Sequence, residues 1–200
     1  MKQYINIFWF RRDLRLDDNC GLYHALNSGK KILPIFIFDE DILSKLQKND
    51  ARVSFIYQEI KKIEKHLLKI QSGITIYNKK PIEVFKEISE KYLIDTVFTN
   101  HDYEPYAIKR DSEIKDFLAT KNIDFKTYKD QVIFERNEIV KKDGTAYKVF
   151  TPYSKKWIEA FNAKEIQSYP SEEKLEQFIK NVTHQSLSLN EIGFTKSTLK

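Results

Sequence analysis

The sequence predicts an α/β fold: a doubly wound five-stranded parallel sheet in strand order 3-2-1-4-5, followed by a C-terminal hairpin and a linker. Three observations predict it. Five short runs of β-branched and aromatic residues, at 4–10, 31–38, 74–77, 96–100 and 124–128, alternate with longer segments of helical period, which is the pattern of successive βαβ units. Proline and glycine punctuate the helical segments where such units start and stop. The chain is 200 residues long and 41% hydrophobic, enough for one Rossmann-like domain with a sizeable core and a tail.

The elements follow in order. The run at 4–10 is the first strand and 31–38 the second. Asp50 is a good N-cap for a helix whose Val53, Ile56, Tyr57, Ile60, Ile63, Leu67 and Ile70 recur at spacings of three and four, ending at Gly73. After the third strand at 74–77, Pro81 opens a helix carrying Val84, Phe85, Ile88 and Tyr92. After the fourth, at 96–100, Pro105 opens another with Ile108, Ile114, Phe117 and Leu118. In both, the missing proline N–H costs nothing in a first turn. The run at 124–128 is the fifth strand, after which the alternation stops. Residues 138–149 read as a hairpin turning at Asp143-Gly144, and 154–161 as a short helix. From 168 to 200 the apolar density falls, so this stretch is expected to be one amphipathic turn or two and then an exposed linker. The expected division is 1–130 for the α/β domain, 131–167 for an extension and 168–200 for the linker.

Charge and composition exclude several classes. With 34 basic and 29 acidic residues the formal charge is +5, which permits an anionic partner without indicating one. A single cysteine, Cys20, excludes an internal disulfide framework and reads as a small packing residue. His24, His66, His101 and His184 show no metal-ligand spacing. There is no apolar run long enough to span a membrane and no secretory signal before the first strand, so the chain is expected to be cytoplasmic and monomeric.

In an open parallel sheet, ligands bind beyond the carboxyl ends of the strands where the strand order reverses. Here that is between the first and fourth strands. The loops concerned, 10–18 and 100–106 with 38–43 as neighbour, hold the chain's most unusual polar residues: Arg11, Arg12 and Asp13; Asn100, His101, Asp102 and Glu104; Asp39, Glu40 and Asp41. No Gly-x-Gly-x-x-Gly turn or Walker lysine motif accompanies them. Phe36, Phe38, Leu43, Tyr103 and Tyr106 sit beside them instead, which suits a flat conjugated ligand held by stacking and a few hydrogen bonds.

The stretch Trp9-Phe10-Arg11-Arg12-Asp13-Leu14-Arg15-Leu16-Asp17-Asp18-Asn19 resembles the opening of the photolyase and cryptochrome family, whose members begin with a strand followed by Trp-Phe-Arg-x-Asp-Leu-Arg-Leu-x-Asp-Asn. Three further stretches carry the resemblance: Ala51-Arg52-Val53, Asn100 to Ala107 with Arg110-Asp111, and Ala146 to Tyr153 with Trp157. The resemblance implies the N-terminal α/β domain that holds a light-harvesting antenna chromophore. It also implies an absent partner, the helical C-terminal domain that binds FAD and damaged DNA. Folate-type members carry an acid where this chain has Ala107, so the resemblance favours a deazaflavin or flavin antenna. On that similarity Arg52 would stack on or bond the ring system, Asp102 would accept from ring N–H groups, and Phe36, Phe38 and Leu43 would form the walls. Arg11, Asp39 and Glu104 complete the candidate set. Asp13, Arg15 and Asp18 are expected to brace the turn.

Function on this reading is light harvesting for a deoxyribodipyrimidine photolyase, a carbon–carbon lyase that repairs pyrimidine dimers, with no bond-breaking residue in these 200 residues. A cryptochrome photoreceptor without repair activity is the alternative. A stand-alone nucleotide-binding stress-type domain is the second, against which stands the absence of glycine from 100–107. The basic and aromatic stretch 147–157 is expected to pack against the helical domain, with Lys155 or Lys156 available to DNA phosphates.

Overall fold

The computed structural model describes residues 3–181 and 185–198. Strands β1 (Ile5–Phe10), β2 (Ile32–Asp39), β3 (Thr75–Lys79), β4 (Ile94–Asn100) and β5 (Asp124–Tyr128) form one sheet in the predicted order, β3-β2-β1-β4-β5. All pairs are parallel. The helices are α1 (Cys20–Leu26), α2 (Glu40–Leu43), α3 (Ala51–Leu68), α4 (Pro81–Lys91), α5 (Pro105–Ala119) and α6 (Phe150–Asn162).

Every residue of β1 and β2 is buried, because both strands lie inside the sheet and helices cover both faces. Side chains alternate between the two sides. Phe8, Phe10, Phe36 and Phe38 join Leu22 of α1 and Val53, Ile60 and Leu67 of α3 in one core. Ile7, Trp9, Ile35 and Ile37 join Val84, Phe85 and Ile88 of α4 and Ile114 and Leu118 of α5 in the other. Full burial of each such side chain is worth roughly 1.5–3 kcal/mol, so the two layers hold the sheet between them. At the β5 edge Asp124, Lys126 and Thr127 are exposed.

The caps explain the boundaries, with one difference. Asp50 accepts from Arg52 N at 2.8 Å as the N-cap of α3, and Pro81 and Pro105 open α4 and α5. The predicted end of α3 at Gly73 is corrected: the helix stops at Leu68, and Gln71, not a glycine, takes the left-handed conformation with φ 62°. Ser72 N closes on Leu67 O at 3.0 Å, so the chain turns before it reaches Gly73.

The predicted hairpin at 138–149 is also corrected. Lys141 N bonds Thr145 O at 2.9 Å and Gly144 has φ 77°, so the turn forms, but no strand follows on either side. Its arms have no layer to lie on: Ile139 is buried, whereas Val149 is 62% exposed. The predicted short helix is present and longer, as α6, with no buried residue.

Among the described residues from 168 on, the expected amphipathic turn is present, but the linker after it is not uniformly exposed and is corrected on that point. A 3-10 helix at Ser171–Gln177 and the segment after it run over the α1–α3 side of the sheet. Leu175, Phe178, Ile192 and Phe194 are buried there with Phe36 and Phe38. Phe178 bridges to Ile32, and Ile179 N bonds Ile32 O at 2.9 Å. The apolar residues come in pairs, Leu175 and Phe178 three apart and Leu187/Leu189 and Ile192/Phe194 two apart, too short to establish a period over a whole element. His184 lies outside the described residues.

Candidate functional site

The loop after β1 is built around a buried carboxylate. Asp13 Oδ1 accepts from Arg11 N at 2.8 Å, and its Oδ2 accepts from Asn100 Nδ2 at 2.6 Å and Asn19 Nδ2 at 3.2 Å. Asn19 caps α1 through Leu22 N at 3.1 Å. Asn100 Oδ1 in turn accepts from Gly21 N at 2.8 Å. That approach needs glycine, since a Cβ at position 21 would stand 2.5 Å from Asn100 Oδ1. Arg15 bonds Asp130 Oδ1 at 2.8 Å and the Asp18 carbonyl at 2.7 Å, so these residues brace the turn.

Arg11 spans the gap between β1 and β4. Its Nε donates to Thr99 Oγ1 at 2.8 Å, its Nη1 to both Asp111 oxygens at 2.8–2.9 Å, and its Nη2 to the Asn100 carbonyl. Burial lowers its pKa from the ordinary value while Asp111 opposes that. The gap where strand order reverses is therefore filled by the protein's own polar groups. The predicted ligand position between the first and fourth strands is corrected on this point.

A cavity of about 710 Å³ opens one strand over, beyond the carboxyl ends of β1 and β2 and under α2 and the start of α3. Seven of the eight candidate residues line it: Arg11, Phe36, Phe38, Asp39, Leu43, Arg52 and Asp102. Glu104 does not; it is exposed at the N-cap of α5, 3.5 Å from Arg12. Tyr103 and Tyr106 also lie off the wall, their hydroxyls bonding Glu135 at 2.8 Å and Asp39 at 2.8 Å. Sequence reasoning missed Trp9, Ile42, Leu46, Phe55, Ile56 and Arg110 as wall residues. Phe55 and Ile56 could have been found, because they lie one helical turn beyond Arg52 on α3.

The polar groups of the cavity differ in how firmly they are held. Asp39 is buried, and desolvation pushes its carboxyl above the ordinary range against the Tyr106 hydrogen bond, the Asp41 amide and Arg110, whose Nη1 is 3.8 Å away. Trp9 is covered by two guanidinium groups, those of Arg11 and Arg110, each 4.8 Å from the ring. Asp102 faces Arg12 Nε at 3.5 Å. Arg52 is the most exposed of them, at 72%, and among the described residues its ion pair is with Asp50, at 2.7 Å. That pairing raises the Arg52 pKa and lowers Asp50 to about 2. The chemistry available is recognition: flat apolar and aromatic walls, two carboxylate acceptors and cations at the mouth.

Fold and site together define a doubly wound α/β domain with a cavity at the carboxyl ends of the central strands. The chain belongs to the DNA photolyase family, whose model matches residues 6–174. It is 35% identical over 155 residues to a deoxyribodipyrimidine photo-lyase of Alkalihalophilus pseudofirmus, a match covering 74% of this chain and 32% of the relative. A deoxyribodipyrimidine photo-lyase of Synechococcus is 28% identical over 151 residues, covering 76% and 31%. The chain thus spans about a third of the length of these relatives. In fold it is similar to a bacterial class III photolyase from Agrobacterium tumefaciens, with TM-score 0.78, 22% identity, and coverage of 95% of this chain and 38% of the other. It is also similar to an archaeal photolyase from Sulfolobus tokodaii with two FAD molecules and an implied light-harvesting cofactor, with TM-score 0.66, 24% identity, and coverage of 90% and 43%.

Proposed function

We propose that this chain is the light-harvesting domain of a deoxyribodipyrimidine photolyase, and that its cavity holds a flavin or deazaflavin antenna. The observation that carries the reading is the cavity itself: aromatic and aliphatic walls from β2 and α3 with Asp39, Asp102, Arg12 and Arg52 converging on one space. That donor set suits a flat heterocycle with ring N–H groups and an anionic or carbonyl-rich edge. The antenna, when bound, absorbs light and passes the excitation on. The lining residues would hold it: Phe36, Phe38 and Leu43 would stack against the ring, Asp39 or Asp102 would accept its N–H hydrogens, and the apolar wall would keep water from it. Arg52, exposed at the mouth, would be available to bond or stack on the ring system. Ala107, buried at the start of α5, offers no carboxylate where the folate-type pattern has one, which supports a flavin class over folate.

The rest of the reading concerns the longer protein. A helical domain carrying FAD would receive the excitation and drive cleavage of pyrimidine dimers in damaged DNA. Exposed apolar residues on α6 and just before it support an interdomain role: Val149 is 62%, Phe150 77% and Ile158 53% exposed. A cytoplasmic location accords with this function, and no helix among the described residues is long and apolar enough to cross a membrane.

Titration of the purified chain with FMN, FAD and a deazaflavin, followed by fluorescence, tests the assignment. Arg52→Ala is expected to weaken binding about tenfold, equivalent to roughly one charge-assisted hydrogen bond. Failure of all three to bind removes the antenna reading. A repair assay of the whole protein on dimer-containing DNA decides against a cryptochrome-type photoreceptor if dimers are split.

A further inference from the structure

The outer wall of the cavity runs from residue 42 to 56, and its part before α3, residues 42–50, contains no buried residue. Helix α2 contributes no buried residue. The backbone hydrogen bonds of Ser44, Lys45, Leu46 and Asp50 close only local turns. A distant segment reaches this wall from the end of the described chain. Thr195 N bonds Lys48 O at 2.8 Å, and Ser197 N bonds the buried Ser54 Oγ at 2.9 Å. Just before them, Ile192 and Phe194, at 4% and 6% exposure, insert into the core that also contains Val53, Phe36 and Phe38.

We propose that the strap at residues 187–197 positions the cavity wall, with Phe194 as its peg, so that docking of the strap and occupancy of the cavity are thermodynamically coupled. The proposal rests on the antenna reading of the same cavity. The strap bonds the wall at Lys48 and Ser54, on either side of Arg52, and its Phe194 packs in the core with Val53, Phe36 and Phe38, which line the cavity. Coupling is reciprocal, so a ligand that gains affinity from a docked strap holds the strap docked by the same factor. Phe194 is a positioning residue in this sense, and a pull on the strap would loosen the ligand.

The test compares Phe194→Ala with Phe178→Ala. Phe178 is buried in the same core but bridges to Ile32, at the opposite end of β2 from the cavity. Both variants lose a buried ring and are expected to lower the melting temperature. Only Phe194→Ala is expected to weaken flavin or deazaflavin binding, by about tenfold, within the usual range of coupling between sites. Phe194→Leu should restore most of the affinity. Amide exchange at 44–56 should accelerate in Phe194→Ala and not in Phe178→Ala, and saturating ligand should slow exchange at 189–197 in the unaltered chain. Equal loss of affinity in both alanine variants, or unchanged exchange at 44–56 in Phe194→Ala, overturns the proposal. If the unaltered chain binds no flavin or deazaflavin, the antenna reading fails, and the exchange comparison at 44–56 still decides whether the strap holds the wall.

Discussion

The Tyr106 hydroxyl donates to Asp39 Oδ2 at 2.8 Å, joining the first turn of α5 to the end of β2. Asp39 lines the cavity and Tyr106 stands behind it, so the bond aims a carboxylate at the ligand space from an element far away in sequence. Burial and the carboxylate both raise the Tyr106 pKa, which keeps the phenol protonated and donating. Tyr106→Phe removes the donor and leaves Asp39 buried with one partner fewer. The expected cost is about 1–2 kcal/mol in urea unfolding at pH 7.

Asp39 also sets a pH dependence. Its folded pKa is raised by burial above the ordinary 3.8, so between the unfolded and folded values the folded state binds more protons than the unfolded chain. Stability from this group is therefore greatest below the ordinary carboxylate pKa and falls as pH rises through the folded value. Asp39→Asn removes the titration. Relative to the unaltered protein, the variant should gain stability from pH 3.5 towards pH 7, as read by urea midpoints across that range. A constant difference would show that Asp39 carries no such shift.

The loop after β1 depends on the bare backbone of Gly21. A Cβ there meets Asn100 Oδ1 at 2.5 Å and Phe8 Cε2 at 3.2 Å. Relief would displace the side chain that bonds Gly21 N, Asp13 and Asn19. Gly21→Ala is expected to cost roughly 2–3 kcal/mol, typical of overpacking in a tight interior. In a chain of 200 residues that corresponds to a melting temperature lower by about 4–12 °C.

Asp50 and Arg52 form one ion pair, but their substitutions should have different effects. Asp50 also caps α3 by accepting from Arg52 N, and losing such a cap costs about 1 kcal/mol. Arg52 is 72% exposed, so water and salt screen the pair and it contributes little to stability. Thermal unfolding should therefore register Asp50→Ala and barely register Arg52→Ala, while chromophore affinity should fall with Arg52→Ala.

Much of the fold was legible because it is written in local periods. The buried runs at β1 and β2, the stripe on α3, and Pro81 and Pro105 each report their element from neighbouring residues alone. The helix α1 carries no comparable stripe; it is recognised only once Asn19 is seen capping it above Asp13 and Asn100. The end of α3 at Leu68, with the left-handed turn at Gln71, and the missing ladder at 138–149 escaped for a related reason. Turn signals state where a chain can bend, and packing decides which bend is used.

For the candidate site, the sequence by itself determined the family motif, the strand order and the loops at the carboxyl ends of the strands, along with Phe36, Phe38, Arg52 and Asp102 as chemistry near one another. Only the tertiary structure decided which gap stays open. Arg11, Asp13, Asn19, Asn100 and Asp111 close the space between β1 and β4, so the cavity opens over β1 and β2, bounded by Phe55, Ile56 and Arg110. It also decided that Phe194 and Thr195, about 150 residues from Lys48, brace the cavity's outer wall. Local sequence sets backbone period and caps, whereas a cavity is the volume left unfilled by side chains from distant elements, and no single stretch of chain specifies that volume.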